Sequence, residues 1–379
     1  MEVTELPVRR TLVGFSGEAV EPGLPSKIGV RGWREPMKPG QRAASGAVSD
    51  LAYDGRCAGE SGSDAIPFFK LIPRFAAAGL VLATVFALSA RLWWAFDLFS
   101  HFRLQYAVIA LVLCGAALAV RAYPSAAALA AVALIHGWAI KDLWVGGSAE
   151  AGSHGIPVRV VSANVRKQNP EPEKVLHFVR GSDADLVVLL DARGERWRDV
   201  LSAIGADYPH RAPEGWRDGV PIILFSRHPI VRDTLRRSPA GRPHLAAGVA
   251  LGEHRLMVVG LHASSPRPND PSDARRRDLQ LDDLASLLEG ADGPLIVAGD
   301  FNTTPWSPHF QDLVATAGLR NAANGHGYLA TWPTAFWPAR IPIDHVLVRG
   351  RVAVTHVARG QSIGSDHYPI VADLRLISE

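Results

Sequence analysis

The stretch Leu295-Ile296-Val297-Ala298-Gly299-Asp300-Phe301-Asn302 carries the strongest structural signal in the sequence. Its first four residues are apolar and predict a short buried strand. That strand runs directly into a carboxylate and a carboxamide two residues apart. At the period of two that strands follow, Asp300 and Asn302 point the same way, and Gly299 lets another part of the backbone approach closely. We therefore expect a polar site at the end of this strand.

The surrounding sequence repeats this arrangement of an apolar run followed by polar residues. Apolar runs predict buried strands at Val158–Val165, Asp185–Leu190, Val220–Phe225, Leu245–Leu251, Leu256–Leu261, Leu295–Ala298, Ile343–Val348 and Pro369–Leu374. Helical patterns lie at Glu171–Arg180, Glu195–Ile204, Asp273–Leu288 and His309–Ala317. Many strands with few helices favour packed sheets with the helices outside.

Eight polar residues stand in or beside these strands. They are Asn164, Asp191, His262, Asp300, Asn302, Asp344, Asp366 and His367. Taken singly, a strand-end Asp or Asn is usually a turn or cap residue, so only the eight residues together indicate a functional site. Oxygen ligands with only two imidazoles suit Mg²⁺ or Mn²⁺ better than zinc. The two cysteines, Cys57 and Cys114, exclude a disulfide scaffold and a Cys-rich zinc site.

Four motifs carry a specific resemblance to a known family. GDFNTTPWS at 299–307, TWP at 331–333, IPIDH at 341–345 and GSDHYPIV at 364–371 resemble the endonuclease/exonuclease/phosphatase superfamily, which has the deoxyribonuclease I-like fold. The resemblance covers about residues 157 to 376. It implies an α+β fold, a four-layer α/β/β/α sandwich, and metal-dependent cleavage of a phosphate ester.

The resemblance also implies roles for these residues. Asn164 and Asp191 would hold the metal, and Asp366 would assist the metal or His367. Asp191 stands where the family usually has Glu, which bears on metal affinity more than on the fold. The catalytic residues would be His262, Asp300, Asn302, Asp344, Asp366 and His367.

Within that set each residue has an expected task. Asp300 would orient or activate the attacking water, and Asn302 would bond a phosphate oxygen. His367 would contact the scissile phosphate, with its imidazole oriented by Asp344. His262 would match a second histidine of the family, and the sequence leaves open which histidine is the base and which the acid.

The N-terminal part differs from the rest of the chain in composition and in hydrophobic pattern. Residues 1–66 show no sustained period and are expected to be disordered, and they lack the shape of a signal peptide. Residues 67–145 hold three apolar runs, at 75–95, 104–120 and 124–140, which favour about three transmembrane helices over a buried helical bundle. Residues 146–156 are expected to be a linker, and 157–379 the endonuclease/exonuclease/phosphatase domain.

Charge bears on partners and on topology. The net charge of +3, from 40 Lys and Arg against 37 Asp and Glu, gives no electrostatic case for nucleic acid. Four basic residues on one side of the three spans against three on the other favour an N-terminus inside. Three spans then place the domain outside the cytoplasm. The layout resembles bacterial membrane-anchored members of the family, and we expect an inner-membrane protein with a periplasmic or extracytoplasmic catalytic domain.

The leading hypothesis is a membrane-anchored, divalent-metal-dependent phosphoesterase that hydrolyses a phosphodiester. Its partners would be the lipid bilayer and a phosphate ester, which is a nucleic acid, a phospholipid or a phosphorylated metabolite. One alternative is a lipid-headgroup or sugar phosphatase on the same fold, and another is a catalytically inactive, membrane-tethered binding module. Two features stay open between substrate contact and an ordinary structural role: Arg275–Arg277 with Arg267, and the tryptophans Trp306, Trp332 and Trp337.

Overall fold

An all-helical segment precedes the strands in the computed structural model, which describes residues 68–146, 155–213, 220–267 and 269–377. Its helices are α1 (Phe68–Leu88), α2 (Trp94–Ser100), α3 (Arg103–Ala119) and α4 (Tyr123–Ala139). The predicted disordered segment 1–66 and most of the predicted linker 146–156 lie outside the described residues.

The helical segment packs through small side chains. Ala77, Ala110, Ala117 and Ala126 are buried around Leu129 in one apolar cluster shared by α1, α3 and α4. The first predicted helix, 75–95, is interrupted in the structure: α1 begins earlier and ends at Leu88. The chain then turns before α2, and Arg91 in this turn is bonded to Asp312 of the sheet domain.

Only part of this segment has the length and composition of a bilayer-spanning helix. Within the described residues, α1 qualifies alone over Leu71–Leu88, and α2 with α3 qualifies as a pair bent by 61°. Helix α4 is apolar but shorter. The described helices thus offer one span, or two with the bent pair, and the expected count of three stays a prediction.

Two six-stranded sheets follow the helices. The first has the order β11-β12-β1-β2-β4-β3 and the second β5-β6-β7-β8-β10-β9. The strands are β1 (Ile156–Asn164), β2 (Leu186–Leu190), β3 (His210–Ala212), β4 (Ile222–Ser226), β5 (Ile230–Arg237), β6 (Pro243–Leu251), β7 (His254–His262), β8 (Leu295–Asp300), β9 (Arg320–Asn321), β10 (Asp344–Arg349), β11 (Val352–Arg359) and β12 (Ile370–Leu376).

The sheets pack face to face with helices on both outer faces. Val188 and Leu224 of the first sheet share a buried core with Val258 and Ile296 of the second. Helices α5 (Pro172–Ser182) and α6 (Arg198–Asp207) cover the first sheet, and α7 (Pro271–Leu288) and α8 (Pro308–Thr316) cover the second. This is the predicted four-layer α/β/β/α sandwich, so the expected fold class is confirmed.

All eight predicted strands and four predicted helices are present, with ends that differ by a few residues. Four strands were not predicted: β3, β5, β9 and β11. The two longer strands, β5 and β11, were missed for identifiable reasons. Strand β5 lies at the edge of its sheet with mostly exposed polar side chains, so it has no apolar run. Strand β11 carries a register shift between Val354 and His356, which breaks the alternation that identifies a strand.

The helical segment is fastened to the sheet domain by buried polar contacts. An oxygen of Asp97 in α2 accepts hydrogen bonds from Arg277 of α7, at 2.7 Å, and from Ser307, at 3.0 Å. His101, between α2 and α3, lies 3.1 Å from the hydroxyl of Thr304. Trp306 packs on Ala107, Ile140 and Leu143. The described helices and both sheets therefore belong to one compact unit.

Candidate active site

Strand β8 ends at Asp300, and Asn302 follows two residues later, so polar residues stand at the end of this strand as the sequence predicts. Gly299 has a φ of 153°, and a Cβ at this position would overlap the carbonyl oxygen of Leu261 on β7. Only glycine therefore permits the close approach of β7 to β8. After Asp300 the chain turns at Asn302, whose φ of 49° is left-handed and whose backbone N–H donates to Asp300 Oδ1 at 2.9 Å.

Strand register places two further residues beside Asp300. His262, the last residue of β7, is directly paired with Asp300 in the parallel ladder. Asp344, the first residue of β10, is its partner on the other side in the antiparallel ladder. Asp300 is therefore the middle of three functional positions at the same edge of the second sheet.

The first sheet completes the group around Asp300. Asn164 ends β1, and its Nδ2 donates to Asp300 Oδ2 at 2.9 Å. Asn302 Nδ2 donates to the same oxygen at 3.1 Å. The Nε2 atoms of His262 and His367 lie 3.7 Å and 3.8 Å from it. One buried carboxylate oxygen thus gathers four of the predicted site residues.

His367 is in direct contact with a carboxylate. Its Nδ1 lies 2.8 Å from Asp344 Oδ2, and both side chains are buried. Burial alone lowers the pKa of His367, but the Asp344 and Asp300 carboxylates and the hydrogen bond to Asp344 raise it to about 9. His367 is therefore held as an imidazolium at neutral pH.

The other two titratable groups shift in directions that burial explains. Burial lowers the pKa of His262, against the pull of Asp300 and Asp191. Burial and the Asp344 carboxylate raise the pKa of Asp300. The site therefore combines a neutral imidazole, a protonated imidazole and a carboxylate of raised basicity within one small volume.

Asp191 lies next to this group. Its Oδ1 is 3.9 Å from His262 Nδ1 and 3.0 Å from a guanidinium nitrogen of Arg193. Asp191 is not at the capping position of the following helix, since the short 3₁₀ helix that starts at Glu195 has Gly194 as its N-cap residue. Asp366 is more peripheral: its side chain is 41% exposed and lies 4.0 Å from Arg166.

These residues line one cavity of about 470 Å³. Asp344, buried behind His367, is the only member of the predicted set that does not line it. Part of the cavity lining was not foreseen, because it comes from the helical segment: Leu98, His101 and Phe102 also line the cavity. No local sequence pattern signals this, since these residues lie more than 50 positions before β1, the first strand that lines the cavity.

The arginines of α7 and the three tryptophans have different surroundings, and Arg275 is exposed. Arg277 is fully buried and paired with Asp97 and Asp278, and Arg276 and Arg267 are paired with Asp273. Trp332 lines the cavity, with its ring centroid 6.4 Å from that of His367. Trp306 is buried against Tyr328, whereas Trp337 is exposed.

Comparison with known proteins agrees with this geometry. Residues 161–367, more than half of the chain, match the model of the Endonuclease/Exonuclease/phosphatase family. A UPF0294 protein of Vibrio vulnificus is 33% identical over 121 residues, which are 32% of this chain and 40% of that protein. The chain thus matches less than half the length of this curated relative.

Two solved structures are similar at low sequence identity. An endonuclease/exonuclease/phosphatase of Beutenbergia cavernae is 20% identical, with a TM-score of 0.49 over 59% of this chain and 72% of that one. A humanised TDP2 of D. rerio is 18% identical, with a TM-score of 0.48 over 58% of this chain and 99% of that one.

Proposed function

Since the chain belongs to the Endonuclease/Exonuclease/phosphatase family, we propose that it is a metal-dependent hydrolase of phosphate esters, that its substrate is a phosphodiester and that its helical segment anchors it to a membrane. The observation that carries the proposal is the convergence of Asn164, Asn302, His262 and His367 on a single oxygen of Asp300. This places a base, an acid and amide donors around one small volume.

In the proposed reaction, Asp300 and His367 each carry out one proton transfer. A water oxygen forms a new bond to phosphorus, and the bond from phosphorus to the leaving alcohol oxygen breaks. Asp300, whose pKa is raised by burial, orients the water and accepts its proton. His367, held as an imidazolium by Asp344, donates a proton to the leaving oxygen. Proton transfer by such positioned groups contributes about 10²- to 10⁴-fold.

The amide and the second histidine bind the phosphate. Asn302 Nδ2 donates to Asp300 and to the carbonyl oxygen of Ala263, which uses both hydrogens of the amide and holds it beside Asp300. In the proposed complex the amide hydrogen donated to Asp300 turns to a phosphate oxygen, where a donor stabilises charge that develops in the transition state. His262 is neutral because burial lowers its pKa, and it contributes a hydrogen bond without adding a second cation.

The residues present fit a divalent metal. The buried oxygen Asp344 Oδ1 has no hydrogen-bond partner among the described residues, and Asp191 Oδ1 is held 3.0 Å from Arg193 in the lining of the same cavity. Asp300, Asp344 and His367 also offer ligand atoms that all lie within 4.8 Å of one another. We assign Asn164, Asp191 and Asp366 as the residues that hold Mg²⁺ or Mn²⁺. The ion would act as a Lewis acid on the phosphate oxygens.

Membrane anchoring rests on the helical segment. Helix α1 has the length and composition of a span, and large apolar side chains such as Phe75, Leu111 and Leu134 are more than 60% exposed. Exposed apolar surface of this extent needs a lipid or protein partner. We propose an inner-membrane protein with an extracytoplasmic catalytic domain.

The test is hydrolysis of bis-(p-nitrophenyl) phosphate by the purified full chain in detergent micelles. We expect turnover with Mg²⁺ or Mn²⁺, its loss with EDTA, and its loss in Asp300→Ala. Asp312→Ala, which changes an exposed carboxylate on α8, is the matched control and should retain the wild-type rate. A wild-type chain that binds metal but hydrolyses no phosphate ester would instead be a binding module.

A further inference from the structure

The lining of the catalytic cavity contains two chemically different groups of residues. The polar group is Asp300, the two histidines and the amides described above. The apolar group, called the apolar side below, is Leu98 and Phe102 of the helical segment with Trp332, Ile341 and Ile343 of the sheet domain. A phosphate group uses only the polar residues. The apolar side is therefore matched to a different part of the substrate.

This apolar side is built firmly into the structure. Leu98 and Phe102 flank the turn between α2 and α3, and that turn is fixed by the buried Asp97–Arg277 ion pair and by His101 against Thr304. His101 is 5% exposed and lines the cavity, yet its Nε2 has no hydrogen-bond partner among the described residues. A buried ring nitrogen without a partner is costly, so it is available for a polar group of a ligand.

The loop that joins two of the apolar lining residues carries exposed aromatic side chains. Trp332 and Ile341 are bridged to each other and line the cavity, and the loop between them exposes Phe336 by 59% and Trp337 by 77%. Gln105 of α3 donates to the carbonyl oxygen of Arg340 in the same loop. This loop is thereby tied to a helix of the candidate bent span, and exposed aromatic side chains are favoured at the membrane surface.

A polyanionic substrate fits this surface poorly. Among the described residues that line the cavity, Arg166 is the only one with a permanent positive charge. Of the three consecutive arginines of α7, two are paired with carboxylates, Arg276 with Asp273 and Arg277 with Asp97 and Asp278, and the exposed Arg275 does not line the cavity. Affinity for nucleic acid depends on cations that are free to contact phosphates.

Resting on the proposed phosphodiesterase function, we propose that the substrate is a membrane phospholipid. Its phosphodiester lies at Asp300 and His367, its apolar part lies along Leu98 and Phe102, and His101 Nε2 bonds an oxygen at the boundary between them. The helical segment is then both the anchor and the substrate-selecting side of the site. Leu98, His101 and Phe102 are specificity residues outside the matched family region, which begins at residue 161.

The experiment compares two substrates for the full chain in detergent. One is phosphatidylcholine and phosphatidylglycerol in mixed micelles, followed by release of water-soluble product, and the other is bis-(p-nitrophenyl) phosphate. The measured quantity is the ratio of kcat/KM for lipid to kcat/KM for the small ester. In Leu98→Ser and Phe102→Ser we expect this ratio to fall about 10-fold or more, which is the usual effect of losing one large apolar contact.

Leu92→Ser is the matched control, because Leu92 lies in the same part of the chain but is 79% exposed and does not line the cavity. Its ratio should equal that of the wild type. If the serine variants lose their folded structure, Leu98→Ala and Phe102→Leu make the same comparison with a smaller change.

Three results would overturn the inference while leaving the proposed function intact. These are wild-type hydrolysis of the small ester with none of either lipid, an unchanged ratio in folded Leu98 and Phe102 variants, and a higher kcat/KM for single-stranded DNA than for lipid. Failure on the small ester, on lipid and on DNA alike would instead refute the proposed function.

Discussion

Asp97 and Arg277, 180 positions apart, form an ion pair of 2.7 Å in which both side chains are only 1% exposed. This pair joins the helical segment to the sheet domain, and it lies directly behind the turn that lines the catalytic cavity. Removing one partner leaves the other charge buried and uncompensated, which costs about 3–5 kcal/mol. We therefore expect Asp97→Ala to lower the melting temperature in detergent strongly.

The exposed pair between Arg91 and Asp312 is the matched comparison. It also joins the two parts of the chain, at 2.7 Å, but its side chains are 62% and 47% exposed. Such pairs contribute about 0–1 kcal/mol, so Asp312→Ala should change the melting temperature little. If Asp97→Ala and Asp312→Ala lowered the melting temperature equally, the buried pair would contribute no more to stability than the exposed pair.

Asp300→Ala and His367→Ala should each lower kcat on bis-(p-nitrophenyl) phosphate by roughly 10²-fold or more, because each removes a proton-transfer group. Asn302 needs a different design, since its φ of 49° penalises alanine. Asn302→Gly removes the amide without that strain and should lower kcat by a similar factor. Circular dichroism checks that each variant is folded, and near-wild-type turnover in any of them removes that residue from the mechanism.

Asp344→Asn tests whether the carboxylate acts through His367. Asp344 helps to hold the pKa of His367 at about 9, so the amide should favour the neutral imidazole and lower kcat, with a smaller change in KM. Asp312→Asn makes the same chemical change at an exposed position and should leave kcat unaltered. A wild-type kcat in Asp344→Asn would exclude this role.

The family resemblance implies that Asp191 stands where the family usually has Glu. Asp is one methylene shorter than Glu, and Mg²⁺ demands near-octahedral bonds of about 2.0–2.1 Å. We expect Mn²⁺ to support activity at least as well as Mg²⁺. Asp191→Glu should stay active and gain in preference for Mg²⁺, and Asp191→Ala should raise the metal concentration needed for half-maximal rate sharply. An unchanged metal titration in Asp191→Ala would argue that this carboxylate does not hold the ion.

Topology is testable in cells. If three helices span the membrane and the N-terminus is inside, alkaline phosphatase fused after the last residue should be active and a fluorescent protein at the same position dark. The described helices offer one or two spans by length and composition, so the fusion pair decides the count that the sequence suggested. The opposite pattern of activity would place the catalytic domain in the cytoplasm.

The site residues at strand ends could be predicted from the sequence, whereas those that the packing of α2 brings to the cavity could not. Asp300, His262 and Asp344 each terminate or begin an apolar strand, and strand ends meet at the edge of a sheet. Strand register then brings them side by side. The contributions of Asp97 and Leu98 depend on how α2 packs against α7 and the cavity. No periodicity in α2 specifies that packing.

The strands too were predictable only where a local hydrophobic pattern marks them. Buried strands with continuous apolar runs were predictable, whereas β5 was not, because its exposed edge position selects polar residues. The arginines of α7 were equally ambiguous. A cluster of three basic residues looks the same in sequence whether it faces solvent or, like Arg277, pairs with a carboxylate buried 180 positions away.

The side of the cavity formed by the turn between α2 and α3 also bears on how such proteins diverge. The matched family region, 161–367, contains the residues to which we assign hydrolysis but none of Leu98, His101 and Phe102. Selection on the helical segment can therefore change what the enzyme accepts while every motif of the hydrolase domain stays the same. Two chains with identical motifs and different leading helices would be expected to have different substrates, and grafting one chain's helices onto the other's domain would transfer the preference along with the anchor.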